Sequence, residues 1–415
     1  MRRPLCLFCA GALGVELVCA FLPQAGLWLP FAAFFVAGML ILVLGGKARG
    51  YGLCLVLGAL AGVGFTAQTR QNLTRVQDAY AEREVSLTAE VETAAPSYYP
   101  GVVRAALRVE TVNGEEADFR FVCAALPVCE AGDRIAGRFQ LEIPDKSDQL
   151  NQYADGVALQ GEALSHFRIL GQSGSFRART HRWQKRLSEG LQAALPERWP
   201  DTAGVLAAMV TGDRSAIASE LKAAYRLAGL SHVLVVSGMH VAILCGGVFR
   251  KWPRSRKAGR KEPSHWHRKA AALGQAWVAL LLVGITGFTP SVLRAATAIW
   301  IGALGVWWMV PADALTSLAA AGLWMTCTNA YAACDIGFEL SFAAVAGTLA
   351  GGAVFQRLQT GLACPRKQTA ALCRLACRVR SVLRNALCIT VCASLATFPV
   401  LVLRGMSASL YAVVS

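Results

Sequence analysis

Long apolar runs recur along the chain, and they restrict its fold more than any other feature of the sequence. An α-helix rises about 1.5 Å per residue, so a run of about 20 apolar residues crosses the ~30 Å hydrocarbon core of a bilayer. Charged residues make up only 16% of the chain, against roughly 25% in ordinary globular proteins. The runs predict a polytopic α-helical membrane protein. They lie near residues 5–22, 27–45, 51–67, 232–249, 271–288, 291–309, 314–328, 338–355 and 386–403.

A polar block, about 84–175, separates an N-terminal transmembrane region (1–70) from the later runs. Within this block, apolar and polar residues alternate in five short stretches, the pattern of half-buried strands. Turn-forming pairs such as Asn113-Gly114 and Gly132-Asp133 separate the stretches. Five short strands favour a small barrel, and an OB-fold is the leading candidate. We therefore expect an inserted all-β, OB-fold-like domain over 84–171.

Basic residues concentrate in two segments between the later runs. The chain carries a net charge of +15, and segments 250–269 and 356–384 carry +8 and +7 of it. Because Lys and Arg accumulate in cytoplasmic loops, both segments and the N-terminal Arg2-Arg3 are predicted to lie inside. Three spans then bring the chain outside, so the β domain is predicted to be extracytoplasmic. These basic loops could also bind DNA, which is a second interpretation of their positive charge.

The predicted β domain is itself acidic. Residues 84–170 contain fourteen acidic and seven basic side chains, which argues against tight DNA binding by this domain alone. Its aromatic residues could stack on bases or pack the barrel. Cys123 and Cys129 could close a short disulfide in an oxidising compartment, or they could lie on diverging strand ends.

A basic amphipathic helix is predicted over 175–196, directly after the β domain. Phe176, Trp183 and Leu187 share one face of this helix, and arginines and lysines surround the rest. Helices of this kind lie in the membrane interface. The alternative is that the helix lines a vestibule and attracts phosphate.

Polar motifs accompany the apolar run at 232–249. Gly212-Asp213-Arg214 predicts a helix break, and an amphipathic helix of about 216–227 follows it. His232 then opens the run, and Ser237-Gly238 and His240 interrupt it. An unbroken helix would place the two histidines on one face, since eight residues make about two turns.

These motifs resemble the signature of the ComEC family of competence proteins, the inner-membrane DNA-uptake proteins. The family pattern is a G-D-R turn, then G-L-x-H (here 229–232), then S-G-x-H (here 237–240) within a span. Three further stretches resemble the same family: "GFTPSVLRAATA" at 287–298, "DIGFELSFAAVAG" at 335–347 and "ATFPVLVLRGMSASLYAVVS" near the end. The resemblance identifies 201–415 as a competence-type transmembrane channel domain.

The resemblance implies that one strand of transforming DNA crosses the inner (plasma) membrane during natural competence. It implies single-stranded DNA and membrane lipids as partners, with a separate DNA receptor outside. No G-x-x-x-x-G-K-[ST] phosphate loop is present in the sequence, so we expect a cytoplasmic ATP-driven motor on another chain. Association with further copies of this chain, as a homo-oligomer, is an additional expectation.

Polar and ionisable groups within spans are costly and normally face a cavity or a partner. We therefore expect the region around Ser237 to line a polar cavity and to belong to the DNA path. The alternative is packing, in which Ser237 bonds a carbonyl one turn back and Gly238 permits close helix approach. The candidate residues of the DNA path and motifs are Asp213, Arg214, His232, Ser237, Gly238, His240, Arg294, Asp335, Glu339 and Ser341.

Two other classes of function are alternatives to a channel. An intramembrane hydrolase would use Ser237 as nucleophile and His240 as base, with Asp213 or Asp335 orienting the base. No G-x-S-x-G accompanies this pair, and a channel is favoured over an enzyme. The second alternative is a lipid-handling membrane protein.

Many members of the family carry a C-terminal metallo-β-lactamase-like domain, whose His/Asp cluster could bind metals for nuclease work. The six histidines of this chain form no H-x-H-x-D-H run. We therefore expect no metal and no cofactor, and we expect the chain to be a fragment or a truncated version, incomplete at its C-terminal end.

Overall fold

A computed structural model describes residues 4–21, 26–44, 49–96, 101–146, 148–194, 200–228, 236, 238–249, 264–310, 314–360 and 371–405. The described helices are α1 (Pro4–Phe21), α2 (Trp28–Leu44), α3 (Arg49–Tyr80), α4 (Gln149–Ala154), α5 (Phe176–Ala193), α6 (Pro200–Thr211), α7 (Ser219–Leu227), α8 (Gly238–Phe249), α9 (His265–Ile285), α10 (Pro290–Trp307), α11 (Ala314–Thr326), α12 (Ile336–Thr360) and α13 (Ala371–Leu403). The strands are β1 (Arg83–Pro96), β2 (Val102–Val112), β3 (Glu115–Pro127), β4 (Asp133–Glu142) and β5 (Leu159–Gln172). A 3₁₀ helix spans Ala330–Cys334.

The chain forms two compact units. The first contains Met1–Ile217 and Leu234–Asp335, and the second contains Ala218–Val233 and Ile336–Ser415. The β domain and helices α1–α6 and α8–α11 belong to the first unit. Helices α7, α12 and α13 belong to the second.

Six of the described helices are long and apolar enough to cross a membrane: α1, α3, α9, α10, α12 and α13. The predicted runs at 27–45 and 314–328 form the shorter apolar helices α2 and α11, of 17 and 13 residues. The fold is therefore that of an α-helical membrane protein with a sheet-rich insert. At about 1.5 Å per residue, α11 is only about 20 Å long, which is shorter than the ~30 Å hydrocarbon core of a bilayer.

The run at 232–249 does not form one unbroken helix, so the condition under which His232 and His240 would share one face is not met. Val236 is not helical, and α8 begins at Gly238 and has 12 residues. His232 and Ser237 lie outside the described residues.

Strands form where the alternating stretches predicted them, and they close into a barrel in the order β1-β2-β3-β5-β4. Neighbouring strands are antiparallel except β3 and β5, which pair in parallel through Phe121–Leu159 and Cys123–Gly161. Leu87, Leu107 and Phe139 are buried in the barrel core. Helix α4, which the alternation did not predict, lies between β4 and β5.

Cys123 and Cys129 are both buried in this core and carry free thiols. Burial, with smaller effects from Asp133 and Cys123, raises the pKa of Cys129 to about 11. A thiol with a raised pKa is a poor nucleophile at neutral pH. A disulfide between the two stays a prediction.

Small residues let the helices of the first unit approach closely. Gly58 of α3 lies against the backbone of Phe8, and a Cβ on Gly62 would stand 2.5 Å from the carbonyl oxygen of Ala12. Such small-residue contacts are typical of helices that pack within membranes.

Helices α12 and α13 form the antiparallel core of the second unit. Gly347 faces Cys392 and Ala393, and Gly351 faces Cys388 and Ile389. The four-residue spacing places both glycines on one face of α12.

Candidate functional site

Helix α5 is fixed to the barrel through two buried carboxylates of β1. The hydroxyls of Ser173 and Ser175 donate to Glu90 at 3.0 and 2.6 Å, and Ser175 also caps α5. Glu92 accepts hydrogen bonds from Arg120 of β3 and Arg177 of α5, at 3.1 and 2.9 Å. The first turn of α5 is therefore held by charge-assisted hydrogen bonds, which are stronger than neutral ones.

Gln184 of α5 joins two motif segments that are distant in sequence. Its side-chain amide donates to the carbonyl of Thr211 at 2.7 Å and to that of Thr286 at 3.2 Å. Thr211 precedes Gly212-Asp213-Arg214, and Thr286 precedes "GFTP". A side chain on Gly287 would collide with Gln184, so the glycine makes this contact possible.

His181 lies one turn before Gln184 in α5, and its ring contacts the Gln184 side chain. Its Nδ1 lies 3.2 Å from the Gln184 side-chain oxygen. Burial and then the nearby positive charge of Arg177 lower the pKa of His181. Both effects favour the neutral form of the imidazole.

The Gly-Asp-Arg segment forms the predicted break after α6. Gly212 has a φ of +80°, a conformation that glycine adopts at little cost. The Asp213 carboxylate accepts a hydrogen bond from the amide of Ser215 at 3.0 Å, and Arg214 is exposed. Asp213 thus shapes the turn itself.

The start of α8 packs against α10, the helix that carries the "TPSVLR" motif. Ser291 donates to the carbonyl of Val236 at 2.7 Å, and a Cβ on Gly238 would lie 3.4 Å from that of Ala295. Backbone groups freed by a break at membrane depth need such a partner. His240 follows in the first turn of α8 and is half-buried.

An ion pair joins α10 to the segment before α12. Arg294 lies 3.4 Å from Asp335, and their side chains are 10% and 35% exposed. The preceding segment is held by Asn329, whose amide donates to the carbonyl of Tyr153 in α4 at 2.8 Å. Burial, and then the negative charge of Asp335, raise the pKa of Asp155 at the end of α4.

A second ion pair lies within the second unit. Arg404 donates to both oxygens of Glu339, at 2.8 and 3.2 Å, and only 12% and 14% of the two side chains is exposed. Glu339 is in the first turn of α12, and Arg404 directly follows α13. Ser341 is half-buried in α12.

The structure thus places Arg294 with Asp335 and places Gly238 against α10, while Asp213 and Arg214 occupy a separate turn. Gln184 was missed by the sequence interpretation, because no local pattern distinguishes it. Arg404 lies within the family stretch near the end of the chain, but it was not among the candidate residues. Glu16, 1% exposed in α1, was missed as well, although a lone carboxylate in an apolar run is itself a signal. Among the described residues, no group of three or more His, Cys, Asp or Glu side chains could hold a metal ion.

These features define a class: an α-helical membrane protein with several spans, an inserted barrel and ion-paired motif residues in its helices or next to their ends. Residues 209–415, about half of the chain, match the model of the family described as "Competence protein". The chain belongs to the ComEC family of competence proteins, as its motifs predicted.

A relative supports this membership. The chain is 32% identical over 165 residues to ComE operon protein 3 of Bacillus subtilis (strain 168), a match that covers 39% of this chain. The match spans 20% of the relative's own length. No solved structure matches the chain.

Proposed function

We propose that this protein acts in DNA uptake during competence and passes one strand of transforming DNA across the inner membrane. Membership of the competence family supports the first part of the proposal. The second part rests on the site around Arg294, where residues from three family motifs meet: Val236 and Gly238, Ser291 and Arg294, and Asp335.

The Arg294–Asp335 pair is the single observation that carries the transport proposal. A cation within an apolar helix is costly and usually marks an ion or substrate pathway. The Arg294 side chain is nine-tenths buried, and its Nε has no hydrogen-bond partner among the described residues. Arginine binds carboxylates and phosphates with the same geometry, so Arg294 can exchange Asp335 for a passing phosphate.

The barrel is assigned in this proposal to the OB-fold class. Its five strands close in the order β1-β2-β3-β5-β4, and the OB-fold is a small barrel of five strands. The excess of acidic over basic side chains in the barrel argues against tight DNA binding by the barrel alone. We assign it instead the task of holding α5 and the segment at Asn329 in place over the helices.

The proposed orientation has the N-terminus in the cytoplasm and the barrel outside. Gln184 and α4 bring the barrel region to the turns at Thr286 and Asn329, which the charge pattern also predicts to be outside. At the other end of the α9–α10 hairpin, Lys269 lies over the rings of Trp266 and Trp307. Tryptophan is typical of the bilayer interface, and this end belongs with the basic segment 250–269.

The proposal includes single-stranded DNA and membrane lipids as partners. It also includes a separate receptor outside and an ATP-driven motor in the cytoplasm. Movement of a charged strand needs an energy source, and a motor that pulls the strand would supply it from another chain.

The test is transformation in a strain that carries this gene, with DNA bound outside scored separately from DNA protected inside. Deletion is expected to abolish internal DNA while outside binding remains. Arg294→Gln, at a normal protein level in the membrane, is expected to lower internal DNA at least about tenfold, equivalent to 1.4 kcal/mol. Arg83→Gln, at an exposed arginine of β1, is the matched control and should leave uptake unchanged.

Two further variants separate transport from packing. If the exchange of Arg294→Asp with Asp335→Arg restores protein level but not uptake, a cation is needed at position 294. If the exchange restores DNA uptake, the Arg294–Asp335 pair has only a structural role. His240→Ala is expected to lower internal DNA as well, and normal uptake in the deletion strain would overturn the function itself.

A further inference from the structure

A groove lies between the amphipathic helix α5 and the membrane helix α9. It has a volume of about 490 Å³, which falls in the range of about 300–1,000 Å³ typical of small-molecule sites. Its apolar walls come from both helices, and Arg179 and Gln184 also line it. The apolar lining residues are Phe176, Trp183, Leu187, Leu280, Leu281 and Ile285.

The groove opens on the side of α5 that faces away from the barrel. Arg182 and Lys185 occupy the opposite side of α5, where they bond the Ser173 carbonyl and Glu130 at 3.1 and 2.6 Å. Trp183 and Phe176 are 72% and 67% exposed. These rings are therefore presented outward, although nothing in the fold of the barrel requires it.

The position of α9 indicates what these rings meet. This helix is long and apolar enough to cross a membrane, and Leu280 and Leu281 near its end are about half exposed, at 49% and 57%. Exposed leucines on a spanning helix face acyl chains. The groove is thus continuous with the surface that lipid tails cover.

The positive charge of Arg179 indicates which kind of lipid would bind in the groove. Arg179 lines the groove, is exposed and has no side-chain partner among the described residues. Arg177 and Lys185 are instead paired with Glu92 and Glu130. An unpaired guanidinium at the rim of an apolar groove matches a phosphate joined to an acyl chain.

We infer that the α5–α9 groove binds an anionic phospholipid of the bilayer, with an acyl chain between Trp183 and Leu281 and the headgroup phosphate at Arg179. This site is independent of the proposed DNA path. The lipid would fix α5 in the plane of the interface, and Gln184 of the same helix contacts the Gly-Asp-Arg and "GFTP" turns.

The test uses the full chain in nanodiscs that contain equal amounts of phosphatidylglycerol and phosphatidylcholine, followed by native mass spectrometry of the released protein. The protein is expected to retain phosphatidylglycerol in preference to phosphatidylcholine. Arg179→Gln should lower this retention about fivefold, since one basic residue contributes about that factor near an anionic surface. Arg186→Gln is the matched control, because Arg186 is exposed on the same helix but does not line the groove.

A second pair of variants tests the acyl part of the site. Gly284 lines the groove, and a Cβ there would meet nothing within 4 Å. Gly284→Leu therefore introduces a side chain into the groove at a position with room for its Cβ, and it should displace the lipid. Gly302→Leu in α10, also open within 4 Å, should retain it.

Equal retention by Gly284→Leu and Gly302→Leu would overturn the groove as the site. Equal losses in Arg179→Gln and Arg186→Gln would show a general basic surface and overturn the role of Arg179. A protein that retains no lipid, with the groove filled by another segment or a second copy, would also overturn the inference. Thermal melting of each variant in detergent verifies that it is folded.

Discussion

Arg404 and Glu339 form an ion pair, although they are distant in sequence. Both carboxylate oxygens of Glu339 are bonded, and about seven-eighths of each side chain is buried. Removing one member of a buried pair leaves an uncompensated charge, whereas replacing both by apolar residues is often neutral.

We expect Glu339→Leu alone to destabilise the protein by about 3–5 kcal/mol, and Arg404→Leu to do the same. The double variant should recover most of this loss, because both charges are then absent. The measurement is the thermal unfolding of the purified protein in one detergent, with each variant compared with the parent. A double variant that loses as much as the two single variants together would show that the two side chains stabilise the fold independently.

The sequence identified Glu339 because a carboxylate near an apolar run is costly. It could not identify Arg404 as the partner, because 65 residues separate the two. The same limit applies to Gln184, which bonds a carbonyl 102 residues away. Residue type reveals that a partner is needed, but only the fold determines which one.

At the scale of elements, α12 and α13 depend on glycines that admit a neighbouring backbone. A Cβ on Gly351 would lie 2.7 Å from the carbonyl oxygen of Cys388, while one on its neighbour Gly352 would meet nothing within 4 Å. Adjacent residues on one helix therefore differ only in whether α13 lies against them.

Gly351→Ala is expected to destabilise the second unit by about 1–3 kcal/mol, since the added methyl forces the helices apart. Gly352→Ala should be neutral or stabilise by up to about 1 kcal/mol, because alanine is the better helix former. Denaturant-induced unfolding of both variants in the same micelles makes the comparison. If both substitutions have the same effect, helix propensity rather than the contact with α13 decides stability at this site.

Helices and strands were predicted where the sequence has a periodic or continuous apolar pattern. Alternation along "VVRAALRVETV" and "DRIAGRFQLEI" placed β2 and β4, and apolar length placed α9 and α10. Helix α4 has six residues, too few for a helical period to emerge. Just before the late start of α8, the carbonyl of Val236 accepts a hydrogen bond from Ser291, a tertiary contact that hydropathy does not contain.

At the scale of the whole molecule, two independent features agree on which ends of the helices share a side of the membrane. The charge pattern predicts the turn at 286–289 and the segment 329–334 to be outside with the barrel. In the first unit, hydrogen bonds join the barrel region to both: Gln184 to Thr286 and Asn329 to Tyr153. Helix α10 runs for 18 residues from that side to Trp307, a length of about 27 Å.

An epitope inserted between Asn113 and Gly114, in the exposed turn joining β2 and β3, should therefore bind antibody on intact spheroplasts. The same epitope between Met309 and Val310, which are 57% and 58% exposed, should bind only after permeabilisation. Exposed turns tolerate such insertions, and retained DNA uptake verifies each tagged protein. Binding of both epitopes on intact spheroplasts would mean that α10 does not cross the bilayer. The reverse pattern would mean that the basic segment 250–269 faces outward, against the rule that governs cytoplasmic loops, and the proposed direction of DNA passage would have to be inverted with it.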